Sequence, residues 1–437
     1  MTATMTAPPI EQVAPHVVTK VRDGDLKSAQ MGLLGAGIAM LAISCALGMF
    51  ADGDTKKRFF FSYLVGYMGV LGICLAALFF TMVQHITRAG WSVVVRRIAE
   101  NVAAVLPFML LLFLPIVVGA EHLFHHWWHP NPADTVLAGK KAWLNSTFFF
   151  VRVGIYFAIW LVLAWYFRKQ SLLQDQTGDP TINLRLARLA APGLLLFALS
   201  ITFAAFDWIM SLDPHWFSTS FGLTYFAGAF MSFLAFTVLF ARFLGSKGYL
   251  KDAITTEHYH DLGKLLFAFM VFWTYTNFSQ YMLIWYANLP EETAFFAHRH
   301  HGGWGAIGTL LIFGHFFFPF AFLMSRHVKR HPAGLAFGAI FMLVMHWIDM
   351  QFLIVPNFHP TAAASHAEVP HAEGQSFVGG FTHGLGEWMH GLTIHDFLCF
   401  FGMLSFVAGM AVLNMRKTHL LPTRDPRLTE SLHFVNI

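Results

Sequence analysis

The sequence predicts an all-α polytopic membrane protein of about ten transmembrane helices. Its 437 residues are 56% hydrophobic and only 12% charged, which is more apolar side chain than a soluble core of this size can bury. The apolar residues also fall into ten runs of the length that spans a bilayer core of about 30 Å. Because lipid offers no hydrogen-bond partners to the backbone, each run is expected to be helical.

Charged or Pro/Gly-rich breaks separate the runs, and the tightest turn, Asp213-Pro214-His215, joins the fifth to the sixth. The polar segment 1–30 does not resemble a cleaved signal, so we expect it to be a cytoplasmic N-terminal segment ahead of the first helix and its loop, 31–58. The predicted helices are 31–50, 59–86, 98–120, 144–167, 189–212, 216–243, 262–288, 304–324, 333–355 and 394–414.

The distribution of basic residues predicts the orientation. Twenty Lys and Arg residues fall on the side of the N-terminus and six on the other side. Cytoplasmic loops of membrane proteins carry the excess of Lys and Arg, so both termini are predicted to be cytoplasmic. Two further basic residues, Arg152 and Lys264, fall inside predicted helices.

Histidines crowd the loops predicted to be extracytoplasmic. GAEHLFHHWWHPNP follows the third helix, LPEETAFFAHRHHGGW follows the seventh, and 356–393 forms a long His-rich periplasmic loop. A metal site is one interpretation, but His298, His300 and His301 lack a helical i, i+4 pair and a nearby Cys. Solvated histidines that titrate near neutral pH, or contacts with a partner subunit, are therefore the preferred interpretation, with no bound metal.

Ionisable residues inside the predicted helices are candidate functional residues, because each costs at least about 2.5–3.5 kcal/mol in the hydrocarbon. Arg152 needs a partner, for which Asp207 and Glu121 on neighbouring helices are the candidates. A structural ion pair is the alternative to a functional role for Arg152 and Asp207.

A second set of polar residues predicts a hydrated track in the second half of the protein. His346 and Asp349 share a helix face at i, i+3, and His315 lies at a similar depth on the preceding helix. Asn277 and Tyr281, with Thr274 and Gln280, extend the set along the seventh helix. We predict that these residues form part of a proton path. The alternative is that each histidine simply bonds to a neighbouring carbonyl.

The sequence predicts that this chain binds no redox cofactor of its own. Cys45, Cys74 and Cys399 all lie in apolar runs without a C-x-x-C or C-x-x-C-H motif, which disfavours iron–sulfur clusters and covalent haem. His315 with His346 is the one plausible pair of axial ligands for a b-type haem, and no helix carries two histidines spaced for stacked haems.

Several stretches resemble a known family. HITRAGWSVVVRRIAENVAAVLP, FDWIMSLDPHWFSTSFGLTYFAGAFMS, HDLGKLLFAFMVFWTYTNFSQYMLIWYANLPEET, MHWIDMQFLIVPNF and DPRLTESLHFVN are similar to the F-type membrane subunits of bacterial alternative complex III, in the NrfD-like, polysulfide-reductase membrane-subunit family. The resemblance covers nearly the whole chain. It implies two four-helix bundles, 59–212 and 216–355, flanked by two outer helices, the second of which belongs to 394–437. The sequences around Asp207 and Asp349 are also similar, because each acid lies near a Trp and ahead of a Pro. This short similarity independently favours an origin of the two bundles by duplication.

The resemblance also implies a setting in the bacterial inner membrane. Such complexes oxidise quinol and pass electrons to cytochrome c or directly to a terminal oxidase. The electrons travel through iron–sulfur clusters and c-type haems on partner subunits, and a paralogous membrane subunit is the better candidate for quinol oxidation. A pocket with aromatic side chains, His and Asp would suit a quinone, as it would many other ligands, so no quinone-binding residue is assigned.

Three functions follow from these observations. The first is a cofactor-free membrane subunit of a quinol:acceptor oxidoreductase with a structural and proton-conducting role, or a quinol-oxidising paralogue in the same complex. The second is an independent ion or solute transporter, although the two halves lack matching Gly/Pro-broken helices. The third is a haem-bearing membrane anchor. Nothing in the sequence indicates nucleic-acid binding. Besides the partner subunits, we expect the chain to contact membrane lipid.

Overall fold

Ten long helices make up the part of the fold that the structure describes. The structure is a computed structural model that describes residue 10 and residues 14–300, 303–360 and 377–436, and these residues contain no β-strand. Nine of the described helices are long and apolar enough to cross a membrane, so the predicted all-α polytopic fold class is confirmed. The helices are α1 (Lys27–Met49), α2 (Gly53–Ile86), α3 (Val93–Val118), α4 (Ser146–Thr177), α5 (Thr181–Trp208), α6 (Phe221–Ser246), α7 (Thr256–Ala287), α8 (Trp304–Met324), α9 (Pro332–Ile354) and α10 (Ile394–Lys417).

The helix α7 is the one of these ten that lacks a stretch apolar enough to count among the nine candidate spans, because Thr274, Asn277 and Gln280 interrupt its apolar run. Its 32 residues nevertheless exceed the roughly 20 that a bilayer core requires. The backbone N–H of Leu420 donates to the Thr19 carbonyl over 2.8 Å, so the N-terminal segment and the C-terminal tail lie on one face of the molecule. Two ends on the same face require an even number of crossings, and α7 supplies the tenth.

The two central helices are α2 and α6, each the first helix of a four-helix bundle. The first bundle contains α2 to α5 and the second α6 to α9, and α2 also packs against α6 and α9. Between Arg58 and His85 only Phe79 and Val83 are not fully buried, so α2 is enclosed by protein along most of its length. The Tyr225 hydroxyl of α6 donates to the Met68 carbonyl of α2 over 2.7 Å at this contact.

The outer helices α1 and α10 pack against each other, and α10 also packs against α2. Small residues permit this close approach, as they do between many membrane helices. A Cβ atom on Gly37 of α1 would lie 2.8 Å from the Gly402 carbonyl oxygen of α10. On the other side of α10, Arg58 of α2 forms a buried ion pair with Asp396, with Nη2 and Oδ2 2.8 Å apart.

Two predicted segments differ in detail from the structure. The third helix is broken into Val93–Ala103, Leu106–Leu111 and Leu114–Val118, because Pro107 and Pro115 start the second and third pieces and cannot continue the preceding one. The loop 356–393, predicted without a helix, contains the helix Phe377–Gly391, which packs against the start of α8. His366 and His371 of that loop lie outside the described residues.

Alternate loops gather at opposite ends of the molecule. On the termini face, which includes residues 14–25, 88–92, 247–255 and 418–436, the Tyr249 hydroxyl donates to Asp25 over 2.6 Å. On the opposite face, which includes residues 124–145, 213–220 and 288–300, the Lys140 ammonium donates to the Pro214 carbonyl over 2.5 Å. The loops therefore alternate between faces, as a chain that crosses the membrane ten times requires.

Candidate functional site

The acid of the first bundle, Asp207, is fully paired. Arg152 donates to its carboxylate from Nε over 2.7 Å and from Nη2 over 2.8 Å. The Tyr156 hydroxyl and the Trp143 indole N–H add bonds of 2.7 and 2.9 Å. The Arg152 guanidinium also lies 4.3 Å from the Trp143 ring centroid and donates to the Trp143 carbonyl. Four donors on one carboxylate leave no site for a mobile proton, so this arrangement fits the structural ion pair that the sequence left as an alternative.

Two other candidates lie outside the buried interior. Glu121, the second proposed partner of Arg152, has a side chain that is 62% exposed and bonds to His129 on the opposite face over 2.9 Å. Lys264 lies two turns into α7, where its half-exposed side chain pairs with Asp261 and donates to Asn436 of the tail. Because α7 begins at Thr256, six residues before the predicted start, Lys264 lies close to the termini face.

The second bundle brings His315, His346 and Asp349 together around one tryptophan. The His315 ring stacks on Trp273 of α7, with 3.6 Å between ring centroids, and the Trp273 indole N–H donates to the Asp349 carboxylate over 3.1 Å. His346 packs beside Trp273: a Cβ atom on Gly228 would lie 3.3 Å from Trp273 Cδ1 and 3.5 Å from His346 Nδ1. We call His315, His346, Asp349 and Trp273 the tryptophan cluster.

The tryptophan cluster is buried but its hydrogen bonds are incomplete. Both ring nitrogens of His315 and the Nδ1 atom of His346 are enclosed without a hydrogen-bond partner among the described residues. His346 Nε2 lies 3.4 Å from the Gly69 carbonyl oxygen of α2, a long hydrogen bond. Trp273 is the one described donor to Asp349. Buried polar groups in native proteins are nearly always paired, so these open positions make the tryptophan cluster a candidate functional site.

His315 lies on an irregular part of α8. Residues Leu311–Phe317 form a π-helical segment, in which the Phe318 N–H bonds to the Phe313 carbonyl five residues back. Pro319 explains the wider turn, because it has no N–H to offer the His315 carbonyl four residues earlier. Such segments occur mostly inside α-helices and are frequent at functional sites. The available sequence signal was Pro319. The pattern of apolar residues alone does not predict the π-helical segment.

The polar residues of α7 lie at increasing distances from the tryptophan cluster along the helix. The Asn277 amide donates to the Trp273 carbonyl over 3.0 Å, one turn beyond the cluster. Tyr281 lies one further turn along, and its partly exposed ring makes an edge contact with Phe296 at 5.0 Å. Gln280 accepts a bond from Ser220 over 3.3 Å, near the opposite face. These residues form a polar line from the cluster towards the opposite face.

A buried charge network at the termini face was missed by the sequence analysis. Arg96 pairs with Asp425 of the tail over 2.6 Å, and Arg97 pairs with Asp175 over 2.5 Å. Glu100 lies 3.4 Å from Arg96 and 3.1 Å from Arg97. Both arginines had been counted as loop charges because helix three was predicted to begin at 98. Their spacing to Glu100, i+4 and i+3, was the available signal for a helical ion-pair network.

The loop histidines form separate pairs. His129 bonds to Glu121, and His215 bonds to Asp134 over 2.7 Å. Among the described residues, no group of three or more His, Cys, Asp or Glu side chains could hold a metal ion. His301 lies outside the described residues, and the absence of a metal in these loops stays a prediction.

No protein-family model matches the sequence, and no curated protein matches it. The family resemblance therefore depends on the quoted stretches alone. Two of them meet in space: the tail stretch DPRLTESLHFVN contacts the HITRAGWSVVVRRIAENVAAVLP stretch, where the Ser431 hydroxyl donates to the Trp91 carbonyl over 2.7 Å.

Proposed function

We propose that this multi-pass membrane protein is a proton-conducting subunit of a respiratory quinol:acceptor oxidoreductase of the alternative complex III type. The observation that carries the proton-conducting role is the tryptophan cluster, where an acid and two imidazoles are buried with unfilled hydrogen-bonding positions. The membership of a quinol-oxidising complex follows from the sequence resemblance.

The contrast between the two bundles supports a mobile proton at the second acid. Asp207 and Asp349 each lie near the end of the fourth helix of a bundle. The third helix of each bundle places a basic residue beside the acid or beside the tryptophan that bonds to it. In the first bundle that residue is Arg152, which donates two hydrogen bonds to the acid and, with Tyr156 and Trp143, saturates it. In the second it is His315, an imidazole whose two ring nitrogens have no hydrogen-bond partner among the described residues. On this proposal the ion pair of the first bundle stabilises the fold, and the tryptophan cluster of the second bundle transfers protons.

The proposal assigns the redox groups to partner subunits. The three cysteines lie on different helices, and Cys399 shares a contact of 3.1 Å with the Ser44 hydroxyl, as a small structural residue would. On this proposal the chain binds no haem or iron–sulfur cluster, and a multihaem cytochrome c, an iron–sulfur protein and a paralogous membrane subunit supply electron transfer in the bacterial inner membrane.

The exchange Asp349→Asn tests the proton path. It preserves the shape and the hydrogen bond from Trp273 but removes the titrating carboxyl, so the complex should assemble while proton translocation per electron falls. The measurement is the proton-to-electron ratio of quinol oxidation by the purified complex in sealed vesicles. Asp252→Asn, at an exposed acid on the termini face, is the matched control and should behave as the wild type. An unchanged ratio and rate in Asp349→Asn would show that the cluster is structural.

Purification in mild detergent followed by mass spectrometry tests the assignment to a complex. Co-migrating multihaem cytochrome and iron–sulfur subunits are expected. A stable protein that purifies without redox partners would instead support the transporter hypothesis, since two bundles with buried charges also occur in secondary carriers. Crosslinks from 124–143 on the opposite face are expected to reach the redox partners.

A further inference from the structure

A cavity of about 280 Å³ opens on the termini face, where four segments of the chain meet. The end of α2, the start of α3, the start of α5 and the tail line it. This volume is slightly below the range of typical small-molecule pockets, and it exceeds the volume of a single water several-fold. Its polar lining residues include Gln84, His85, Arg88, Arg96, Asn183 and Arg427.

Three residues that line this cavity each contain a buried polar atom without a hydrogen-bond partner. Gln84 and His85 are 6% and 4% exposed, and neither the Gln84 Oε1 atom nor the His85 Nε2 atom has a hydrogen bond within the described chain. The Asn183 Oδ1 atom also has no hydrogen-bond partner, although the amide nitrogen of Asn183 donates to Asp425. Each unmet group costs about 1–3 kcal/mol. The two amide oxygens are acceptors only, so a ligand that brings hydrogen-bond donors to the cavity would satisfy them.

The charge of the lining favours an anion. Asp425 is the one acid among the lining residues, and it is neutralised by Arg96 at 2.6 Å. Burial raises the pKa of Asp425, but the charge of the Arg96 guanidinium and its hydrogen bond lower the pKa by more. The net pKa is therefore lowered, and this carboxyl stays charged and bound to Arg96. Arg88 is exposed at the cavity, and its guanidinium makes no hydrogen bond or ion pair with any described residue. The lining therefore presents one cation without a counter-charge.

The backbone of Arg88 has an unusual conformation for an arginine. Its φ angle is +49°, in the left-handed region, and the chain turns there from α2 towards α3. Non-glycine residues other than Asn and Asp rarely occupy this region, and such strain clusters at functional sites. The strain and the missing counter-charge thus coincide at one residue.

We propose that the cavity binds a glycerophosphate group, a phosphate ester with adjoining hydroxyls. Arginine guanidinium groups bind phosphate through paired, charge-assisted hydrogen bonds, which Arg88 can supply. The Arg427 guanidinium is already bonded to both carboxylate oxygens of Glu430. The hydroxyls would donate to the amide oxygens of Gln84 and Asn183, which a bare anion cannot satisfy. A phospholipid headgroup and a soluble glycerol phosphate share this chemistry. Exposed Ile86 and Leu184 beside the cavity provide apolar surface for acyl chains in the first case.

Lipid retention by the purified full-length chain tests the site. Wild-type protein in detergent is mixed with equal amounts of phosphatidylglycerol and phosphatidylcholine, and the bound lipid is counted by native mass spectrometry. The wild type should retain phosphatidylglycerol at least about tenfold more than phosphatidylcholine, the ratio expected from one charged hydrogen bond. Arg88→Asn should abolish that preference. Asn tolerates the left-handed backbone, so the variant is expected to fold.

Arg185→Gln is the matched control, because Arg185 is an exposed arginine of α5 that does not line the cavity. It should keep the wild-type preference. Competition with sn-glycerol 3-phosphate then separates the two sources: displacement of phosphatidylglycerol identifies a site for the soluble ester, and retention of the lipid identifies a headgroup site. Equal losses in Arg88→Asn and Arg185→Gln would overturn the proposal. So would a wild type that shows no preference for phosphatidylglycerol and does not bind sn-glycerol 3-phosphate.

Discussion

At the scale of single residues, identical side chains have different roles because their surroundings differ. Asp207 accepts four hydrogen bonds, two of them from a guanidinium. Asp349 accepts one from an indole and lies beside imidazoles. A charge buried with its partner is tolerated, but removal of one partner leaves the other unpaired in the interior.

The ion pair of the first bundle gives a prediction about stability. Arg152→Met should lower the free energy of unfolding by about 3–5 kcal/mol, because Asp207 is left buried without its cation. The double variant Arg152→Met/Asp207→Leu should recover most of that loss, since both charges are then absent. Unfolding in mixed micelles measures both, with Arg185→Met at an exposed position as the control. Equal destabilisation of the single and double variants would contradict a structural role for the pair.

An ion pair on the termini face predicts a pH dependence. Arg330 bonds to both oxygens of Glu257, at 2.7 and 2.5 Å, and these bonds lower the pKa of the Glu257 carboxyl from 4.5 to about 2. The stabilising contribution is therefore complete above about pH 4.5 and disappears as the pH falls towards 2. The difference in Tm between the wild type and Glu257→Gln should shrink over that interval. A difference that stays constant with pH would exclude this assignment.

At the scale of elements, small residues decide how closely helices approach. A Cβ atom on Gly37 would lie 2.7 Å from the Phe406 backbone nitrogen of α10, whereas a Cβ on Gly35, half a turn away on α1, would meet no atom within 4 Å. The same helix thus contains a tight contact and an open position two residues apart.

This pair of glycines supplies a matched test of the α1–α10 contact. Gly37→Ala should destabilise the protein by about 1–3 kcal/mol, because backbone atoms of α10 must move. Gly35→Ala should be neutral or slightly stabilising, since Ala is the better helix former. The measurement is the unfolding midpoint in detergent. If Gly35→Ala proved the more damaging of the two, the described packing would be wrong.

At the scale of the whole molecule, the chain forms two bundles that meet along α2 and carry loops on two distinct faces. Arg96 and Arg97 are buried in ion pairs rather than free at the membrane surface. The remaining basic residues still favour the termini face, so the positive-inside bias predicts that this face is cytoplasmic.

Cysteine labelling tests this orientation. Ser246 and Ala133 are exposed on the termini face and the opposite face, respectively. In a variant without native cysteines, Ala133→Cys should react with a membrane-impermeant thiol reagent in intact cells, and Ser246→Cys should react only after the cells are broken. The reverse pattern would invert the predicted topology.

The sequence by itself determined the fold class and most helix positions, because a bilayer imposes length and hydropathy on every crossing segment. It also offered Asp207 as one of two candidate partners of Arg152 and placed His315, His346 and Asp349 at a similar depth. These inferences depend on composition and helical spacing, which a linear sequence contains.

Only the tertiary structure decided which buried polar groups are satisfied. The apolar periodicity of α7 gives no sign that Trp273 stacks on His315 and bonds to Asp349, nor does the tail show that Asp425 neutralises Arg96. Such pairs join residues far apart in the chain, and their chemistry is set by distances of a few ångströms between helices. Hydropathy measures the preference of each residue for lipid or water, whereas a hydrogen bond depends on the position of its partner.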